Sequence, residues 1–284
     1  MATALEDFTK ARKLGTKEHQ KDISDGKSPL LPALDDIVEK RTLLKEERVG
    51  TREIPLPQVV GTVTHGRQEA FASNFMPLLA HDTEFGEKWI RLMEYQTSEG
   101  IQDAIKVLEY MGKFYVLEGN KRVSVMKYLE MPTILADVTR VLPAQSDEKE
   151  VVVYYEFLQF FKCTAIYDIL FTEKGSYQKL SEYVNKTLDE KWDEDSVLDL
   201  KSAFIKFCKA YKSIEGKVKN LSNSDAFLVF IDMYKYDELV GMTADDIKKQ
   251  ALLDGMSTLR MSATRYVLNG ITSISEMKKV SFDE

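Results

Sequence analysis

The chain has 284 residues, 44% hydrophobic and 30% charged, which supplies a sizeable core and rules out a disordered chain. A formal net charge of -7 argues against indiscriminate binding along nucleic acid. Cys163 and Cys208 are too few for a disulfide framework or a cysteine zinc site, and His19, His65 and His81 show no metal-ligand spacing.

The first residues carry acids where a signal peptide would carry positive charge, and no stretch approaches the ~20 apolar residues of a membrane span. A cytoplasmic protein with no membrane partner is expected. Residues 1–48 read as a helical arm, with Leu5, Phe8 and Leu14 along one side of its first helix. The basic run Lys10, Arg12, Lys13, Lys17 and Lys21 reads as a solvated face, because acids are interspersed.

Residues 53–60 read as an extended edge segment, since each proline biases its predecessor toward β geometry and removes a ladder donor. Residues 61–67 read as loop and 68–80 as a short helix stopped near Met76-Pro77. A stronger helix is expected over 84–96, with Phe85, Trp89, Leu92 and Met93 on one stripe. Strands at 104–108 and 114–118 flank a tight connection and predict a hairpin. Gly119 ends it, a helix runs from Asn120 to about Glu130, and a strand follows at 134–141.

From Lys149 on, helices are expected, with Tyr154, Tyr155, Phe157, Phe160, Phe161 and Tyr167 buried against the first domain or a second copy of the chain. Helices are placed at 176–190, 195–212 and 224–235, with another start at Thr243. Trp89, Trp192, Cys163 and Cys208 read as buried packing residues. Residues 225–254 hold seven acids and three lysines, a balance opposite to that of a DNA-recognition helix.

One segment carries a chemical argument: Glu118-Gly119-Asn120-Lys121-Arg122-Val123-Ser124. It places a helix N-terminus directly after a strand. Free backbone N–H groups and the helix dipole favour an anion there. Lys121 and Arg122 add two cations, and an Arg fork can grip a phosphate bidentately. On spacing alone the turn reads as a solvated cap with two surface cations.

Residues 52–141 resemble the ParB/sulfiredoxin fold, the N-terminal domain of chromosome-partitioning ParB proteins. Ile54-Pro55-Leu56 with Val60 and then Arg67 resembles that family's first strand and arginine box. Gly100-Ile101 with Ala104-Ile105-x-Val107 is similar to the segment before its hairpin, and Tyr115 to Arg122 resembles its Gly-Glu-Arg-Arg box. With the resemblance, the turn reads as a phosphate site formed by Gly119, Asn120, Lys121, Arg122, Ser124 and Arg67. The departures are specific. Asn120 stands where ParB has glutamate and sulfiredoxins a nucleophilic cysteine, so sulfiredoxin chemistry is not expected. Ser124 stands where the box has another arginine. Asn120 and Lys121 replace two histidines of related free-serine kinases, so no general base is assigned. Residues 68–83 look like an insertion. A closer resemblance is to larger bacterial proteins that fuse such a domain and helical region to a basic-membrane-lipoprotein-type binding domain, which makes this chain a standalone version or a fragment.

The expected fold is α+β: a helical arm (1–48), a small mixed-sheet ParB/sulfiredoxin-like domain (49–145) and a helical region (146–284). The expected function is binding of a nucleotide or other phosphorylated small molecule, with or without magnesium, in a regulatory or signalling role. The alternatives are a nucleic-acid-associated ParB-like protein and a phosphate-handling enzyme, a nucleotidase or small-molecule kinase. No metal site is expected. A homodimer through the C-terminal helices is the expected assembly.

Overall fold

A computed structural model describes residues 3–38, 44–212 and 221–253. The chain is α+β and divides into two compact units, Met1–Ser146 and Asp147–Glu284.

The first unit opens on α1, Ala4–Ser24, which begins with a reciprocal cap: Thr3 Oγ1 accepts from the Glu6 N–H, and the Glu6 carboxylate accepts from the Thr3 N–H. Phe8, Ala11 and Gly15 form its buried side, at spacings of three and four. This corrects the expected stripe, since Leu5 and Leu14 are about half exposed. Gly15 fixes the choice of face, because a Cβ there would lie 2.6 Å from the Pro77 carbonyl oxygen.

After the short helix α2 (Leu34–Ile37), β1 spans Glu46–Pro55 and β2 spans Val59–Thr62, with a 3-10 turn at Leu56–Gln58 between them. The strands that follow are β3 (Ile105–Tyr110), β4 (Lys113–Glu118) and β5 (Thr133–Val141). The sheet order is β1-β5-β3-β4-β2. The pairs β1/β5 and β3/β4 are antiparallel, and β3/β5 and β2/β4 are parallel. The segment 53–60, expected as one edge strand, thus serves both edges. Its prolines occupy the end of β1 and the turn, where no ladder donor is needed.

The helix expected at 68–80 does not form. A 3-10 turn runs over His65–Ala70, and residues 71–80 are irregular, held by Ala72 N–H donating to Met76 O and Met76 N–H donating to Asn74 Oδ1. Pro77 disfavours helical backbone at Met76, and the Asn side chain competes for the local N–H groups. Helix α3 (Glu84–Ser98) then starts at Thr83, whose side chain accepts from the Gly86 N–H, and α4 (Asn120–Tyr128) follows β4.

Met111 and Gly112, both at positive φ, form the two-residue loop of the β3–β4 hairpin. The Gly112 N–H donates to Glu109 Oε1 at 2.8 Å, and the other oxygen of Glu109 accepts from Arg140 Nε. Glu109 and Arg140 are register neighbours on β3 and β5, and both are buried. Phe8, Met76, Trp89, Met93 and Val125 pack in one core cluster, and Leu34, Val63, Leu108, Tyr115 and Val141 in a second.

The second unit is helical: α5 (Lys149–Thr164), α6 (Ser176–Tyr183), α7 (Glu194–Lys212), α8 (Asn223–Tyr234), α9 (Tyr236–Gly241) and α10 (Ala244–Leu253). Within this unit the aromatics pack on one another. Phe157 meets Tyr154, Phe161, Tyr167 and Tyr177, and Phe160 meets Tyr177 and Trp192, all in the same unit. Cys163 is buried, whereas Cys208 is only half-buried. The helix expected to reach residue 190 stops at Tyr183, with Asn185 at positive φ just beyond. No helix among the described residues is long and apolar enough to cross a membrane.

The Glu109–Arg140 pair yields a stability prediction. Glu109→Ala leaves a buried guanidinium without its counter-charge and should cost ~3–5 kcal/mol in urea unfolding. A Glu109→Leu, Arg140→Met double variant should recover most of that loss, because desolvation of both charges is removed together.

Candidate functional site

Gly119 sits between β4 and α4 with φ 114°, a conformation that L side chains rarely adopt. A Cβ there would also meet Ile105 Cγ2 at 2.5 Å. Both constraints demand glycine at this turn. The Val123 N–H donates to Gly119 O at 3.1 Å and closes the first intrahelical bond of α4. The N–H groups of Asn120, Lys121 and Arg122 precede it and point out of the helix end.

That helix end borders a cleft of about 630 Å³. Asn120 and Lys121 line it from α4; His65, Gly66, Glu69, Ala70 and Phe71 from the 3-10 turn and the residue after it; Leu79 from the following segment; and Glu84, Phe85 and Lys88 from the start of α3. Its volume falls within the usual range for small-ligand sites. Lys121 Nζ lies over the Phe85 ring, 5.0 Å from the centroid. Lys88 Nζ bonds Glu84 Oε1 one helical turn away. That bond, with the Lys121 charge as a smaller contribution, holds the Glu84 carboxyl below the usual carboxylate range.

Asn120 is buried, 4% exposed as a residue. Its Nδ2 approaches Thr62 Oγ1 at 3.5 Å, and Thr62 Oγ1 donates to Val116 O. Thr62 therefore fixes the amide orientation and leaves the buried Asn120 Oδ1 with no hydrogen-bond partner.

The expected site residues separate into two groups. Gly119, Asn120 and Lys121 build the helix end. Arg122, expected as a phosphate fork, is not among the residues that line the cleft. Its Nη1 donates to Asp103 O at 2.9 Å and to Ala104 O at 3.0 Å. The guanidinium thereby satisfies two backbone carbonyls at the entrance to β3. Ser124 is likewise structural: it is fully buried, and its Oγ accepts from Trp89 Nε1 at 2.9 Å. The side chain of Arg67 lies outside the described residues. His65 does reach the cleft. Its Nε2 faces Asp36 Oδ1 at 3.0 Å and its Nδ1 faces Gln68 Oε1 at 3.2 Å. Gln68 donates its Nε2 to Leu31 O, so its oxygen is the atom turned to the ring. Both ring nitrogens therefore face acceptors, and neither is placed as a base toward the cleft.

The sequence reading missed the opposite wall, Phe71, Phe85 and Lys88. Its one signal is the Glu84/Lys88 spacing, which any solvated helix can carry. Among the described residues, no group of three or more His, Cys, Asp or Glu is placed to hold a metal ion. No protein-family model matches the chain, and a search of curated proteins gives no match.

Two predictions follow from α4. Arg122→Ala should destabilise the unit by about 1–2 kcal/mol in chemical unfolding, because two carbonyls lose a charged donor; the sequence reading alone implies almost no change. Lys127, on the same helix, is largely buried with Nζ 5.2 Å from the Phe75 ring centroid, and burial lowers its pKa from 10.5 to about 8. Below pH 8 the ammonium is charged in both folded and unfolded chains, and its burial penalty is felt in full. Between pH 8 and 10.5 the folded chain sheds the proton first, so stability rises with pH. Lys127→Met should therefore stabilise the protein by roughly 1–3 kcal/mol at pH 7, with the gain shrinking toward pH 10.5. Attraction to the Phe75 ring offsets part of the penalty.

Proposed function

We propose that the first unit is a ParB/sulfiredoxin-like module that binds a phosphorylated small molecule, foremost a nucleotide, at the start of α4, in a regulatory role. The observation that carries this reading is convergence. The first backbone N–H groups of α4, at Asn120 and Lys121, and the ammoniums of Lys121 and Lys88 border one cleft of about 630 Å³. Phe85 adds a partly exposed aromatic surface beside the cations, suited to the flat part of a nucleotide. The order strand, hairpin, Gly turn, helix and returning strand in a mixed sheet supports the likeness to the ParB/sulfiredoxin fold. Binding rather than turnover is favoured because His65 is held by Asp36 and Gln68 and no other base was assigned. A cytoplasmic location belongs to the same proposal.

The test is thermal unfolding with pyrophosphate and with nucleoside mono-, di- and triphosphates, each with and without magnesium. A ligand that binds the native chain raises its melting temperature as concentration exceeds Kd. At least one should do so, and Lys121→Ala should weaken that ligand roughly tenfold through loss of a charge-assisted contact. No shift with any of them overturns the reading.

A further inference from the structure

We propose that Glu84 is a tethered competitor for this cleft: its carboxylate engages Lys88 beside Lys121, and an anionic ligand must displace it to win those ammoniums. The inference rests on the binding reading above and adds what controls affinity there. Three features of the geometry support it. Glu84, Lys88 and Lys121 border the same cleft, from the first turns of α3 and α4. Lys88 Nζ sits 2.5 Å from Glu84 Oε1, a full charge-assisted bond. The pair is solvent-exposed, with side-chain accessibilities of 55% for Lys88 and 81% for Glu84, so it is free to exchange partners.

The lowered Glu84 pKa agrees with this placement, since both lysines stabilise its charged form. The fold does not need Glu84. Thr83 caps α3 through the Gly86 N–H, and exposed pairs of this spacing add little to stability. A carboxylate that does little for the fold, yet holds a cation at the mouth of an anion site, sets a threshold. A ligand of one negative charge gains little by exchanging with it. A ligand of two or more charges, spread over several oxygens, can engage Lys88, Lys121 and the N–H groups at once. Glu84 thereby favours polyanions such as di- and triphosphates over single carboxylates.

The experiment is calorimetric titration of the full chain with inorganic pyrophosphate and with acetate, comparing wild type, Glu84→Gln and Glu87→Gln. Glu87 lies on the same helix, pairs with Arg91 and does not line the cleft, so it reports the net-charge change alone. Glu84→Gln should bind pyrophosphate roughly two- to fivefold tighter, the scale of one exposed ion pair, with Glu87→Gln close to wild type. Adding Lys88→Gln to Glu84→Gln should erase the gain. Equal gains in Glu84→Gln and Glu87→Gln, or no gain in Glu84→Gln while wild type binds, overturns the inference and leaves the binding reading standing. Absence of pyrophosphate binding in every variant, joined to absence of a nucleotide shift in wild type, overturns both. Tight binding by Glu84→Gln alone supports both, with the competitor stronger than an exposed pair suggests.

Discussion

The bond from Trp89 Nε1 to Ser124 Oγ holds the first unit in the arrangement on which the cleft depends. Trp89 is fully buried and central to its cluster. Its ring meets Phe8 of α1 edge-on at 5.3 Å and Tyr128 of α4 at 5.8 Å. One side chain thus ties α3 to both α1 and α4. An indole buried on this scale contributes several kcal/mol through area alone, and its N–H demands a partner. Ser124 is the acceptor, so α3 and α4 are fixed by direction as well as by distance. Lys88 precedes Trp89 by one residue, and Lys121 precedes Ser124 by three, or about one turn. The polar bond inside the core therefore fixes the backbone positions from which the two lysines extend.

The sheet supplies the second anchor. Gly119 must leave β4 at positive φ and pass close to Ile105, which ties the start of α4 to the start of β3. Arg122 closes the same corner from the helix side through the Asp103 and Ala104 carbonyls. At the far end of β3, Glu109 links the hairpin turn to β5 through Gly112 and Arg140. Each end of the central strand is thus pinned by charged groups, while its middle pairs in unbroken register with β5 and, past a register shift between Lys106 and Val107, with β4. A helix end held this way is rigid enough to present its N–H groups in fixed directions, which is what anion binding there requires.

Much of this was legible in the sequence where a local rule dominates. The tight connection at Met111-Gly112, the Gly119 stop and the apolar run of 114–117 each follow from chemistry within a few residues. The failures occur where a distant group decides. Arg122 looks like a phosphate ligand in its own segment, and only the fold brings the Asp103 and Ala104 carbonyls to it. Leu14 fits a helical stripe with Phe8, but the close approach of residues 71–78 selects the side containing Gly15. Residues 68–80 contain enough apolar side chains for a helix, yet Asn74 and Pro77 hold a compact irregular turn whose Phe71 becomes a cleft wall. The aromatic run after Lys149 was correctly read as packing material, but its partners, Tyr177 and Trp192, lie beyond the next breaks in the chain.

The overall charge bears on how such a cleft can work. With a formal net charge of -7, the field of the chain as a whole repels an approaching phosphate. Salt limits that field to about one Debye length, ~10 Å, so it acts on encounter more than on the bound state. The cleft lining holds two lysines, Lys88 and Lys121, and two glutamates, Glu69 and Glu84, so the local balance is close to neutral. Bulk attraction is therefore a poor source of affinity. The groups that gain most from contact are the outward N–H groups of α4, which are neutral, fixed by the helix and insensitive to the surrounding acids. Under the proposed binding function, a site built this way would discriminate by the geometry of ligand oxygens rather than by charge alone. Such a design would also suit an acidic chain, because short-range donors act only on an anion already seated at the helix end.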